Sequence, residues 1–459
     1  GMQRIKDNFP ILCILFVGTF LRFFNLGMIP GETFDEVFYP LYGLNYITGE
    51  KFFSVHPPLG NYLMSVGIYL YYLLPWTETL SSTSYELSNL SPVSYRWLGA
   101  LAGSALIWVS YKLSLQLFNQ KKFAILVALF FCIDGSFLVD SRFGLINIYM
   151  SFLGFLSLLV FVTVLKKENS SILGLCLAAI LFGLTFSIKW NGLGFFGASL
   201  FSLFILFLLS KVKPTNSIKD GFSISDNLIS RKTHVVSILF LLPFLAYALV
   251  WIPELMFSEQ YSLVDRHMNI SSYHSENIDQ KQHPYSSNWY SWPFMAKPIG
   301  YYFLSREIIS DSGSQVTIFN SVHLFPNLAL YLLSLMAIFI MSLEWINSFF
   351  KTLASKTYES EFILSSFILS GFYANFLPWA FVSRSTFLYH YQPSSGFAFM
   401  ALALLLYKVG LKPEKQYKTL YYLVLILIIT AFIYWLPLQL GLDIDREAFY
   451  RRMWSKSWI

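Results

Sequence analysis

Long apolar runs separated by short polar gaps organise this chain. A helix needs about 20 mostly apolar residues to cross a bilayer. Runs of that kind lie near 11–26, 94–118, 123–140, 145–165, 171–188, 192–210, 235–257, 326–349, 362–382, 391–408 and 419–439. A further run, 59–75, follows Pro57-Pro58, a pair that stiffens the chain and blocks a helix from starting upstream. Basic residues cluster at Arg4/Lys6, Lys121/Lys122, Lys166/Lys167, Lys211 through Lys232, Lys351/Lys356 and Lys408 through Lys418. If 59–75 does not cross, all these clusters share the side of the N-terminus, as the positive-inside rule requires. If it does cross, every later cluster flips away. The pattern therefore predicts about eleven spans, a cytoplasmic N-terminus, and a 59–75 segment lying on or dipping into the outer leaflet.

Composition agrees. The chain is 55% hydrophobic and only 13% charged over 459 residues, whereas soluble domains carry about a quarter charged residues. Aromatics reach 19%, and amphipathic rings suit membrane interfaces. The net charge of +6 is explained by basic loops beside a membrane and calls for no nucleic-acid partner. Cys13, Cys132 and Cys176 sit inside apolar runs without CxxC spacing, which reads as small buried hydrophobes. Gly1 ahead of Met2 reads as an expression remnant. Residues 11–26 lack a small-x-small cleavage site and carry Arg22, so they read as a retained span rather than a signal peptide. The whole chain, 1–459, reads as one all-α polytopic membrane domain. Its two long outer loops are 27–93 and 258–325, and its longer cytoplasmic loop is 211–234.

Charge at membrane level is costly and marks function. On this topology Asp35, Glu36, His56, Arg96, Asp140, Arg142, Lys189, His283, Arg384 and His390 all fall at outer span ends or in outer loops. By spacing alone, Asp35-Glu36 reads equally as a general base toward a hydroxyl and as a solvated acidic pair at a helix N-terminus. A divalent metal is a weak reading, because no third ligand stands at diagnostic spacing. Arg96, Arg142, Lys189 and Arg384 taken singly read as headgroup snorkellers. Together, on the face with the acidic pair, they fit a phosphate anchor. The stretch His283 to Pro293, with Tyr285, Trp289 and Trp292, suits sugar stacking, and equally an interfacial belt. His56-Pro57-Pro58 reads as a stiff corner, with His56 either a structural partner or a substrate contact.

An ordered set of strings carries a resemblance. They are Phe34-Asp35-Glu36, His56-Pro57-Pro58-Leu59-Gly60, Tyr95-Arg96, Asp140-Ser141-Arg142, Lys189-Trp190, His283-Pro284-Tyr285 through Trp292-Pro293, and Phe387-Leu388-Tyr389-His390-Tyr391. In this order they resemble the protein O-mannosyltransferase family, which has the GT-C architecture of glycosyltransferases that use lipid-phosphate sugars. The resemblance implies about eleven spans with membrane-lying helices in the first outer loop. It also implies Asp35 as catalytic base with Glu36 as its helper, and Arg96, Arg142 and Arg384 on the carrier phosphate. His283, Tyr285, Trp289 and Trp292 would shape the pocket, joined by Lys189 and His390. The implied reaction moves mannose from polyprenyl-phosphate mannose to Ser or Thr hydroxyls of exported proteins, at the external face of the inner (plasma) membrane. No cofactor is implied with certainty. Asn147 and Asn61 stand where the family often has Asp and Lys, which leaves donor and acceptor preference open. The 258–325 loop is too short for the β-trefoil domain of the fungal and animal enzymes.

Two other functions compete. A related GT-C transferase would glycosylate a lipid, but the aminoarabinose transferases it resembles carry Lys where His56 stands. A transporter or flippase would show broken helices in matching halves and polar groups at the midplane, and neither pattern is present in the sequence. Oligomeric state is not legible.

Overall fold

The computed structural model describes residues 1–166, 172–214, 231–275 and 283–459. Lys167, most of the basic loop 211–234 and part of the second long loop lie outside the described residues. Every predicted span becomes a helix. Eight are long and apolar enough to cross a bilayer, and the bent pair Lys121–Cys132 and Gly135–Ser141 makes a ninth. Phe9–Phe23 and Ile172–Phe186 are shorter apolar helices at the two remaining predicted positions. The 59–75 run forms a helix of only 13 residues, Leu59–Tyr71, too short for a span.

The 58° bend between Cys132 and Gly135 has a local cause. Asp134 caps the new helix by accepting from the Phe137 N–H at 3.0 Å. Gly135 permits close approach there, since a Cβ would stand 1.8 Å from the Phe325 carbonyl oxygen. The helix Leu388–Leu411 is buried along most of its length and packs against Leu328–Ser355, Ser360–Phe376 and Lys121–Cys132. Helix Trp190–Leu209 packs on Ser360–Phe376. All three cysteines are free, and only Cys132 is buried.

The loops at one end are ordered by buried polar ties. Tyr62 on helix Leu59–Tyr71 donates to the Val250 carbonyl and accepts from the Glu254 N–H, both at 2.8 Å. Tyr46 on helix Tyr39–Thr48 donates to Glu254 at 2.5 Å. Arg266 on helix Leu263–Ser275 pairs with the other Glu254 oxygen at 2.9 Å. One carboxylate thus clamps the first long loop to the second.

Two features depart from the all-α expectation: a short parallel pair, Lys213–Pro214 with Thr357–Tyr358, and a larger sheet. Ile299–Ile309 and Gln315–Leu324 form an antiparallel hairpin, and Asp443–Asp445 joins it as a third strand. The register shifts between Gly300 and Tyr302. The intervening Tyr301 is therefore a bulge residue, and such an insertion re-aims its side chain.

Candidate functional site

The acidic pair divides into two roles. Phe34–Val37 is a 3-10 turn closed by a capping box, in which Glu36 accepts from the Thr33 N–H at 3.0 Å and the Thr33 hydroxyl at 3.1 Å. Glu36 also accepts from Arg96 Nε at 2.9 Å, Arg96 Nη2 at 2.8 Å and the Gly144 N–H at 2.6 Å. The rest of the Arg96 guanidinium donates to the carbonyls of Leu26, Ile29 and Gly31 at 2.8–2.9 Å. Both side chains are fully buried. With every N–H of Arg96 taken, it has nothing left to offer a phosphate, and Glu36 has no free lone pair for an acceptor. Both expectations are corrected: the pair is a structural clamp.

Arg142 is tied into the first helix. It is buried, and its Nη1 donates to the carbonyls of Leu21 and Phe24 at 2.8 and 2.6 Å, capping the end of the first helix.

Asp35 is different. Among the described residues nothing hydrogen-bonds its carboxylate; burial holds its pKa above the usual carboxylate value, against the pull of Lys189 and then His283. The preceding Phe34 has φ +50°, a conformation a bulky residue adopts only under constraint. The constraint is aromatic. Phe34 stacks on Tyr301 at 4.6 Å and meets His283, Tyr389 and Phe387 edge-on at 6.4–6.5 Å. The bulge that turns Tyr301 inward thus fixes the backbone that aims Asp35.

Behind this lies a polar chain. Tyr301 donates to Asp140 at 2.5 Å, and Gln392 does so at 2.7 Å. Asn147 donates to Asp140 at 3.3 Å and accepts from Lys189 Nζ at 2.7 Å. Lys189 also sits 5.1 Å from the Tyr389 ring centroid. Its amine is pushed down to about 8 by burial and then by Arg384, against Asp35 and Asp140. Arg384 donates to the Ser385 carbonyl at 3.2 Å and lies 5.9 Å from the Trp379 ring, with most of its N–H fork unused by described residues.

Lys189 and Arg384 face two imidazoles. His56 and His274 rings lie 5.5 Å apart. Burial lowers both pKa values, that of His274 to about 4, and repulsion from Lys189 and Arg384 lowers them further. Mutually repelling cations around neutral imidazoles describe an anion site. The corner Pro57-Pro58 is buried and sets this up, because the Leu59 N–H donates to the Ser187 carbonyl at 3.2 Å, beside Lys189.

His56, His274, Trp379 and Arg384 line one end of a cavity of about 1250 Å³. The remainder runs between helices Trp190–Leu209, Leu328–Ser355 and Ser360–Phe376, lined by Gly197, Phe201, Ile205, Trp345, Leu369 and Tyr373. Phe201 and Phe381 on its walls are exposed, so it opens to the bundle's exterior.

The other predicted pocket residues sit further out or further back. His283 is exposed and packs on Phe387 at 5.2 Å. Tyr285 lines a separate cleft of about 370 Å³ beside the hairpin. Trp289 packs edge-on against Phe376. Trp292 and His390 are buried behind Trp379, at 5.6 and 4.3 Å between rings. Neither lines the cavity, so both are corrected from ligand contacts to its support. Sequence reasoning missed Tyr301, His274 and Gln392. His274 was findable as a polar residue in an outer loop; the role of Tyr301 depends on the bulge. Among the described residues no group of His, Cys, Asp or Glu is placed to hold a metal.

The helical membrane bundle, with a polar site near one end of an apolar cavity, has the GT-C fold. Likeness of fold supports this. The Saccharomyces cerevisiae protein O-mannosyltransferase Pmt1-Pmt2 complex, solved bound to the sugar donor, superimposes with TM-score 0.78 at 13% identity, over 99% of this chain and 93% of that one. ArnT from Cupriavidus metallidurans, bound to undecaprenyl phosphate, gives 0.52 at 12% identity over 95% and 76%.

The chain belongs to the protein O-mannosyltransferase family. The family profile for dolichyl-phosphate-mannose-protein mannosyltransferase matches residues 12–261, and that for the C-terminal four TMM region of protein-O-mannosyltransferase matches 261–458. A polyprenol-phosphate-mannose–protein mannosyltransferase of Mycolicibacterium smegmatis is 21% identical over 88% of this chain and 82% of its own length. Protein O-mannosyltransferase 1 of Drosophila pseudoobscura pseudoobscura is 32% identical over 28% of this chain and 14% of that longer protein. The chain is a multi-pass membrane mannosyltransferase that uses a lipid-phosphate mannose donor.

Proposed function

We propose that the chain transfers mannose from polyprenyl-phosphate mannose to Ser or Thr hydroxyls of exported proteins by a single inverting displacement. The supporting observation is an Asp35 carboxylate without a hydrogen-bond partner among described residues, beside Lys189, which in turn lies near Arg384 on the wall of the lipid-sized cavity. Asp35 takes the proton of the acceptor hydroxyl as its oxygen attacks the anomeric carbon. The bond from that carbon to the phosphate oxygen breaks on the opposite face, and polyprenyl phosphate leaves as an anion. No strong general acid is needed, because Lys189 and Arg384 offset the developing charge. The polyprenyl tail occupies the cavity between helices Trp190–Leu209 and Ser360–Phe376. A volume of about 1250 Å³ exceeds the roughly 300–1,000 Å³ of ordinary small-molecule pockets.

The site faces the exterior of the cell, with 27–93 and 258–325 as the outer loops. The distribution of Lys and Arg supports that orientation. The exposed Val66, Tyr69 and Leu70 support helix Leu59–Tyr71 lying at the outer interface.

The test supplies synthetic polyprenyl-phosphate mannose with labelled sugar, a Ser/Thr peptide and a glycolipid. Label in peptide, with the anomeric configuration inverted by NMR, is the expected result. Retained configuration removes the single displacement, and label in lipid alone moves the chain to the lipid-acceptor class.

A further inference from the structure

The hairpin carries an unused edge. Its first strand, Ile299–Ile309, has 11 residues. In the sheet it pairs with one neighbour, the second hairpin strand, and its other side has no strand partner among the described residues. From Phe303 to Ile309 every residue is exposed, including Phe303 at 53% and Leu304 at 45%. Alternate residues of an antiparallel strand direct N–H and C=O away from the partner. An exposed edge of this length is a template for another strand; four of these seven residues are apolar, and the Arg306 guanidinium is turned onto Asn320 and Asp443 of the sheet itself. Among the described residues no strand covers it.

Two observations select the occupant. The root of the strand is continuous with the candidate site, because Tyr301 stacks on Phe34, next to Asp35. Phe303 is two residues from Tyr301, about 7 Å along the strand. The turn at the far end is polar, with Ser310, Ser312 and Ser314 hydrogen-bonded to one another, unlike a membrane-inserting tip. The substrate that must reach Asp35 is itself an extended polypeptide.

We infer that the acceptor polypeptide docks by adding a strand to the free edge of Phe303–Ile309, so that a hydroxyl residue a few positions beyond the paired segment reaches Asp35. This rests on the protein-acceptor reading above. Backbone pairing supplies affinity with little sequence demand, which suits an enzyme glycosylating varied proteins. The adjoining cleft of about 370 Å³, lined by Tyr285, Tyr302 and Phe449, receives a side chain of the added strand.

The test is a scan of N-methylated backbone amides along one Ser/Thr acceptor peptide, using the full-length enzyme and synthetic donor. Each lost pairing hydrogen bond raises acceptor KM about threefold to tenfold, with a period of two residues, while donor KM stays fixed. The paired variants Leu304→Pro and Ser305→Pro complete it. One breaks the hairpin's internal bond and lowers thermal stability. The other faces outward, folds normally, and raises acceptor KM alone. Transfer to the unmethylated peptide with no alternation overturns edge docking while leaving the protein-acceptor reading intact; no transfer to any peptide overturns that reading itself. Loss of self-association in the well-folded proline variant, with acceptor KM unchanged, assigns the edge to a second copy and overturns the inference.

Discussion

Arg96→Met separates a structural clamp from a phosphate ligand. The substitution leaves Glu36 fully buried, with the Thr33 N–H, the Thr33 hydroxyl and the Gly144 N–H as its remaining donors. It also strips the guanidinium from the carbonyls of Leu26, Ile29 and Gly31. Breaking a buried ion pair from one side costs about 3–5 kcal/mol, mostly from the stranded charge. Glu36→Gln strands Arg96 in the same way. The double variant removes both charges, so its loss falls short of the sum of the two single losses by about 0.5–3 kcal/mol. The assay is the stability of detergent-solubilised protein, read from the monomer peak after heating, with donor KM measured on the folded fraction. The clamp predicts a large stability loss and an unchanged donor KM. A stable Arg96→Met protein whose donor KM rises tenfold or more refutes the reasoning, because a charge-assisted phosphate contact contributes about 1.5–3 kcal/mol.

Three further outcomes follow from the same geometry. The Lys189 amine, lowered to about 8, is cationic below that value and neutral above it, so kcat/KM for the donor falls as pH rises past about 8. In Lys189→Arg the charge persists and that alkaline limb disappears; an unchanged profile contradicts the assignment. Gly197 has only Ala374 near its would-be Cβ, at 3.5 Å, so Gly197→Phe folds and fills the tail cavity. It raises KM for long-chain donor about tenfold or more, an apolar loss of roughly 1.5–3 kcal/mol, and spares a short-chain donor. Tyr301→Phe keeps the ring stack on Phe34 but leaves Asp140 one donor short. It lowers stability by about 1–3 kcal/mol, and no change in the melting profile counts against the network.

The membrane architecture was legible because hydropathy and basic gaps carry it directly. The shortness of helix Leu59–Tyr71 agrees with the expectation drawn from the positions of Lys121, Lys166 and Lys408. Asp35, Lys189, His283 and Arg384 were legible as a group, since they belong to loops on one predicted side, and the structure brings them together. Arg96 and Glu36 were misread for one physical reason. A sequence shows that a guanidinium exists near a span end, but not whether carbonyls such as those of Leu26 and Ile29 have already consumed its donors. Trp292 and His390 were misplaced similarly, because a loop sequence does not say which aromatic lines a cavity and which backs it. The hairpin was not legible because its strands fall inside a predicted outer loop, and the bulge at Tyr301 depends on pairing register. His274 reaches His56 only through the fold, its Nε2 bonded to the Val55 carbonyl at 2.9 Å.

The proposed mechanism turns on one proton. Asp35→Asn keeps the size of the side chain, and among the described residues no hydrogen bond depends on that carboxylate. The direct measurement is single-turnover transfer from polyprenyl-phosphate mannose to a Ser/Thr peptide, wild type beside Asp35→Asn, with donor affinity measured separately. Donor still bound and transfer reduced by about a hundredfold or more is the predicted result. Transfer at the wild-type rate in Asp35→Asn contradicts the account.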